Sequence, residues 1–302
     1  NDYWKKKNIP HLKPRLIFGN FSDYILFRKS APIIVSKICD QFPDEPYVGV
    51  FYGTAPALVV KDPKLKNTDY ANREAITKNI FFNGGDPWKV FRQNSSPLFT
   101  SAKLKNMFPT IKECAKEMDS FLEEEIWEEE TYIVGDSFAN SESSDKKIER
   151  MEVNEDLLVA QCTGFFGAGF ETTSSTLNFL LYELAKNKRV QGRVLEDVDA
   201  YLSKYGEMPY LEACIDETLR LYPVLGNVTR EVMSNYTLPT GLRLQKGDRV
   251  DIPVYHIHRH PDFFPDPTSY RPERFFGDEK KKIKQFTFMS FGEGPRVCIG
   301  KY

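Results

Sequence analysis

No run of apolar residues in this sequence approaches the roughly 18–20 needed to cross a bilayer, so no spanning segment is expected inside it. A basic excess is lacking too. The 41 Lys and Arg residues are met by 43 Asp and Glu, a formal net charge of −2. A nucleic-acid surface needs clustered positive charge, so no nucleic-acid partner is expected. Cysteine is sparse and scattered: Cys39, Cys114, Cys162, Cys214 and Cys298 form no CxxC pair. An odd, dispersed set reads as free thiols in a reducing compartment rather than a disulfide framework. Internal repeats are absent as well. What is present is a chain of 302 residues whose 41% apolar content supplies a sizeable core, in one large domain or two smaller ones.

The opening NDYWKKKNIPHLKP sets an aromatic pair and three lysines ahead of a proline-punctuated segment. That combination flanks membrane spans, so an anchor ahead of Asn1 and a plain polar tail are both open expectations. Residues 47–60, YVGVFYGTAPALVV, predict a β-hairpin turning at Gly53-Thr54. In DPWKVFRQ, Asp86 is placed to cap a helix that Pro87 opens. A second helix is predicted from Lys103 to Glu130, with its acidic runs at 123–125 and 128–130 as a solvated face. Residues 135–147, rich in serine and poor in apolar side chains, predict a linker. A long helix follows from Glu155 to about Asn187, capped by Asn154, with Glu155 and Asp156 at the positive end of its dipole. A shorter helix covers Pro209 to Leu221 and stops before Pro223. Strands alternate through YTLPTGLRLQKGDRVDIPVY, turning at Gly241 and Gly247, and the last fifty residues are mostly irregular. The fold class expected is mainly α with a smaller β region.

Four motifs carry chemistry. The long helix contains CTGFFGAGFETTSS, in which Gly164, Gly167 and Gly169 each cost about 1 kcal/mol relative to alanine. Such penalties call for a ligand or a second helix against the bare backbone. Beside them stand Glu171, Thr172 and Thr173, an acid with two hydroxyls, where threonine back-bonding can widen a helix and set up a proton relay. In DETLRLYP, Glu217 and Arg220 share a helix face, and YRPERFF brings Arg274 to complete a Glu–Arg–Arg set. In YHIHRHP, His256, His258 and His260 alternate as on one face of a strand. Zinc is the sharp reading of those three. Packing or surface histidines is the preferred one, because no cysteine or second histidine cluster completes a tetrahedron. Finally, FMSFGEGPRVCIGKY surrounds Cys298 with glycines and an arginine, a setting that keeps a cysteine as thiolate and aims backbone N–H groups at its sulfur.

Taken in order, AGFETT, ETLR, PERF and FGEGPRVCIG resemble the cytochrome P450 superfamily, the haem-thiolate monooxygenases, and most of all insect microsomal members. The cysteine loop matches F-x-x-G-x-R-x-C-x-G at Phe291, Gly294, Arg296, Cys298 and Gly300. The resemblance implies a single P450 domain over 1–302 with haem b, iron protoporphyrin IX, as cofactor and Cys298 as axial iron ligand. Glu171 and Thr172 become the proton-delivering pair, with Ala168 and Gly169 leaving space for bound dioxygen. Trp88 and Arg92 of WKVFR, together with Arg230 and Arg296, become propionate contacts; Glu217, Arg220 and Arg274 become the structural triad. Expected partners are NADPH-cytochrome P450 reductase, a cytochrome b-type electron donor and a small apolar substrate, which fits xenobiotic metabolism. The expected location is the cytoplasmic face of the endoplasmic reticulum membrane. Lys280, Lys281, Lys282, Lys284 and Lys301 form either a basic docking face or a solvated loop.

The sequence departs from the family pattern by being short. Little chain lies between Lys66 and Asn79, only the linker stands between Glu130 and Asn154, the join at YGEMPYL is brief, and two residues follow Gly300. An incomplete P450 fold is therefore expected, lacking several central helices and the helix behind the cysteine loop. A non-catalytic remnant that binds haem weakly or not at all is the alternative to a monooxygenase.

Overall fold

Residues 47–60 are β-branched and aromatic enough to favour extended chain on both sides of Gly53, whose φ of +62° makes the turn. The result is the predicted hairpin, β1 (Tyr47–Tyr52) antiparallel to β2 (Ala55–Val60), registered Tyr47 to Val60. The computed structural model describes residues 3–15, 18–65, 85–125, 155–204 and 207–301. The predicted linker at 135–147, the cap Asn154, the acidic run 128–130 and the stretch between Lys66 and Asn79 lie outside the described residues.

Further along the chain come β3 (Val228–Glu231), β4 (Tyr236–Thr237), β5 (Arg243–Leu244) and β6 (Arg249–Ile252). The sheet order is β1-β2-β6-β3, with β6 parallel to β2 and antiparallel to β3, while β4 and β5 form a separate pair. Gly241 and Gly247 make the expected turns at φ +85° and +92°. Alternation sorts the sheet's side chains onto two faces. Val48, Val50, Ala57 and Val59 meet Ile34, Val35 and Ile38 of helix α1 (Ala31–Asp40), whereas Phe51, Leu58, Val60 and Val250 meet Trp4, Ile9 and Leu238. The polar-tail expectation for the opening is thus corrected. Trp4 is 4% exposed, its indole N–H donates to the Val50 carbonyl at 3.0 Å, and its ring lies over Gly49, where a Cβ would stand 2.6 Å away.

The helical part has α2 (Gly85–Ser95), α3 (Phe108–Glu125), α4 (Glu155–Lys186), α5 (Lys188–Lys204) and α6 (Pro209–Leu221). Helix α2 is described from Gly85, and the cap expected of Asp86 lies at the edge of the described residues. The single helix expected from Lys103 is split into Ser101–Asn106 and α3, because Pro109 has no N–H for the carbonyl four residues back. Helix α5 was not foreseen. It buries Val190 and Val194 against Leu180, Tyr210 and Cys214, docking α4 on α6. Among the described residues no helix is long and apolar enough to cross a membrane. The architecture is mainly helical with a small sheet region, as expected.

Candidate functional site

The glycines around Cys298 take the conformations their sequence offers. Gly292 and Gly294 have φ of +73° and +79°, a region closed to most side chains. Their turns are fixed by the backbone: Gly292 donates to the Met289 carbonyl at 3.0 Å, Val297 to Gly294 at 3.0 Å, and Cys298 to Phe291 at 2.9 Å. The Cys298 side chain is exposed at the end of this loop.

Two contacts tie the loop to the helices. The Arg296 guanidinium lies over the Trp88 ring of α2, 4.5 Å from its centroid. A Cβ on Gly300 would meet Phe99 at 4.0 Å, and Phe99 packs on Phe165 of α4 with ring centroids 5.6 Å apart. Cysteine loop, α2 and the glycine stretch of α4 therefore converge. Arg92, one turn beyond Trp88, is half-buried on α2. The Phe99–Phe165 link was missed by sequence reading, since a phenylalanine after Ser-Pro-Leu carries no motif.

Along α4 the bare backbone is open. Nothing lies within 4 Å of a Cβ built on Gly167 or Gly169, so a close helix crossing does not account for these glycines among the described residues. Ala168, Gly169 and Glu171 are exposed and Thr172 is half-buried. The Thr172 hydroxyl donates to the Ala168 carbonyl at 2.5 Å, and Thr176 donates to Thr172 at 2.8 Å. The helix remains α-helical throughout, which corrects the expected widening: each hydroxyl shares a carbonyl without displacing the ladder. Phe166 and Phe170 stack on each other at 5.6 Å, both facing solvent.

Arg230 on β3 is half-buried, donates to the Thr229 carbonyl at 2.9 Å and has no acidic side chain within ion-pair distance among the described residues. Burial holds its pKa below the usual guanidinium value.

Glu217, Arg220 and Arg274 come together. Both Glu217 oxygens accept from Arg220, at 2.7 and 2.8 Å, with both side chains fully buried. Arg220 also donates to the carbonyls of His258, Pro267 and Ser269, so its fork is filled. Arg274 Nε stands 3.4 Å from Glu217, close enough for an ion pair but without hydrogen-bond geometry, and its Nη2 donates to the Asp266 carbonyl.

The alternating histidines are corrected. After Pro253 the chain forms a helical turn, Val254–Ile257, instead of a strand, so the three rings do not share a face. His258 is buried between Arg220 and Met289, while His256 packs edge-on against His260. Among the described residues no cluster of His, Cys, Asp and Glu could hold a metal ion, and these three histidines do not assemble one. The lysine run is largely met by its own acids: Lys280 pairs with Glu212 and Asp216, Lys281 with Asp278, and Lys282 with Glu279.

The family model described as "Cytochrome P450" matches residues 129–302. Cytochrome P450 6k1 of Blattella germanica is 26% identical, with 99% of this chain and 83% of that protein covered. Cytochrome P450 6B2 of Helicoverpa armigera is 25% identical, with 99% and 84% covered. These alignments run over 436 and 423 positions against a chain of 302 residues, so the relatives carry residues with no counterpart here.

Proposed function

This chain belongs to the cytochrome P450 family, and from that premise we propose that it is a haem-thiolate monooxygenase acting on a small apolar molecule. The observation that carries the reading is the convergence at the cysteine loop, where Arg296 covers Trp88 and Gly300 meets Phe99 against Phe165. The residues fit haem b. An exposed thiol stands on a glycine-shaped turn, and among the described residues no acid pairs with the half-buried Arg230 and nothing lies within 4 Å of a Cβ on Gly167 or Gly169.

Cys298 would supply the axial thiolate, with Phe291, Gly294 and Gly300 holding its loop. Arg92, Arg230 and Arg296 would bind the propionates through charge-assisted hydrogen bonds, with Trp88 backing Arg296. A bound haem with thiolate on iron supplies dioxygen activation and insertion of one oxygen atom into substrate. Ala168 and Gly169 leave room above α4. The Thr172 hydroxyl, which donates to the Ala168 carbonyl, would relay a proton from Glu171. Phe166 and Phe170 give the substrate an apolar wall. Glu217, Arg220 and Arg274 hold α6 to the segment that leads into the cysteine loop.

Electrons would come from NADPH-cytochrome P450 reductase, with a cytochrome b-type protein as second donor. Xenobiotic metabolism on the cytoplasmic face of the endoplasmic reticulum membrane would follow from the sequence's resemblance to insect microsomal members. The test is turnover with purified reductase, NADPH and a panel of apolar substrates: an oxygenated product that depends on Cys298 supports the reading. A second reading, a non-catalytic P450, draws on the relatives' additional residues and on the exposed face of Phe166, Phe170, Leu177 and Leu181 on α4. It predicts no product and weak or no haem uptake.

A further inference from the structure

We infer that His258 is a positioning residue that sets the cysteine loop through the main chain of Met289. The imidazole is fully buried, and its Nε2 accepts the Met289 N–H at 2.9 Å. A ring nitrogen that accepts carries no proton, so the proton is on Nδ1, which donates to the Arg220 carbonyl at 3.2 Å. Arg220 returns a bond, its Nη1 donating to the His258 carbonyl at 2.8 Å. The ring is held flat against Phe288 at 5.4 Å, with Phe264 at its edge.

Met289, itself buried, then accepts from Gly292, and two residues on Phe291 accepts from Cys298. The buried Glu217–Arg220 pair thus reaches the cysteine through one imidazole and two backbone turns. A histidine does this because it offers a donor and an acceptor on opposite sides of one rigid ring. That His258 sets the loop stands on these bonds alone; that it thereby places an iron ligand rests on the haem reading above.

Two variants separate the two sides of the ring. His258→Gln sets an amide near the Nε2 position and keeps an acceptor for Met289. His258→Asn keeps a donor for the Arg220 carbonyl and leaves Met289 without its acceptor. Hydrogen exchange on the haem-free chain should show the Gly292 and Cys298 amides exchanging at least tenfold faster in His258→Asn, with less than threefold change in His258→Gln. With haem added and reduced under carbon monoxide, His258→Gln should keep the red-shifted band and His258→Asn should lose most of it. Equal exchange in both variants, or acceleration spread evenly over 209–221 and 286–301, would overturn the inference as packing alone. Nitrogen-15 NMR of the unaltered chain decides it even where a variant fails to fold, since an Nε2–H tautomer at His258 contradicts the arrangement. A chain that takes up no haem, yet shows the exchange pattern, would sink the haem reading and leave the loop-setting role intact.

Discussion

Glu217 holds Arg220 by both carboxylate oxygens, with neither side chain reaching water, and the backbone N–H of Arg271 completes the shell at 2.8 Å. A pair so enclosed is worth little against an apolar replacement but a great deal against the loss of one partner. Arg220→Ala should cost about 3–5 kcal/mol, because a buried carboxylate is left alone. Arg274→Ala, which removes an ion pair without hydrogen-bond geometry, should cost on the order of 1–3 kcal/mol. Urea denaturation of the three proteins checks the ranking; equal costs would mean that Arg274 shares the site equally.

A second expectation concerns pH. Burial, with His260 and Lys61 nearby, pushes the His256 pKa down to about 4, and the Asp40 carboxylate 3.4 Å away is mostly in water and offsets little of this. The folded value lies below the unfolded one, so the unfolded chain binds the extra proton. Stability is unaffected above about pH 6.5 and falls as pH drops from there towards 4, by at most about 3 kcal/mol. His256→Asn should flatten the part of the urea-midpoint decline between pH 7 and 5 that this group causes. An unchanged decline would place its origin elsewhere.

Thr172 separates chemistry from folding. Among the described residues its hydroxyl bonds only within its own helix, to Ala168, so Thr172→Val should alter stability by no more than about 0.5 kcal/mol. Product formed per NADPH consumed should fall roughly tenfold or more if the hydroxyl delivers a proton. Stoichiometry of NADPH, product and peroxide is the readout, and unchanged coupling would remove Thr172 from the relay.

Gly49 tests the sheet face beneath Trp4. A Cβ there would stand 2.6 Å from the indole, and the ring is anchored by its bond to Val50. Gly49→Ala should destabilise by about 1–3 kcal/mol through overpacking, seen as a lowered Tm and altered tryptophan fluorescence. A neutral outcome would show that the opening helical turn can move off the sheet.

Much of this was legible in the sequence for reasons that are local. The hairpin at 47–60, the turns at Gly241 and Gly247 and the helix over Pro209–Leu221 follow from propensity and positive-φ glycine, which need no distant partner. The cysteine loop was legible because its glycines and arginine sit at fixed offsets from one cysteine. Helix α5 escaped, although Val190, Val194 and Val198 mark one face at a spacing of four, because its ends lack a strong cap signal. The short strand β3 escaped because its stability comes from pairing with β6, a partner some twenty residues on. The histidines misled most. Alternation suggested a strand, yet Pro253 starts a helical turn, and the role of His258 depends on Arg220 and Met289, both about thirty or more residues away.

The most direct measurement adds haem to the purified chain, reduces it and records the Soret band under carbon monoxide. A strongly red-shifted band that disappears in Cys298→Ser is the predicted result, since only a thiolate on iron gives that shift. Haem uptake without the shift, or no uptake at all, would contradict the assignment of Cys298 as the iron ligand in this chain.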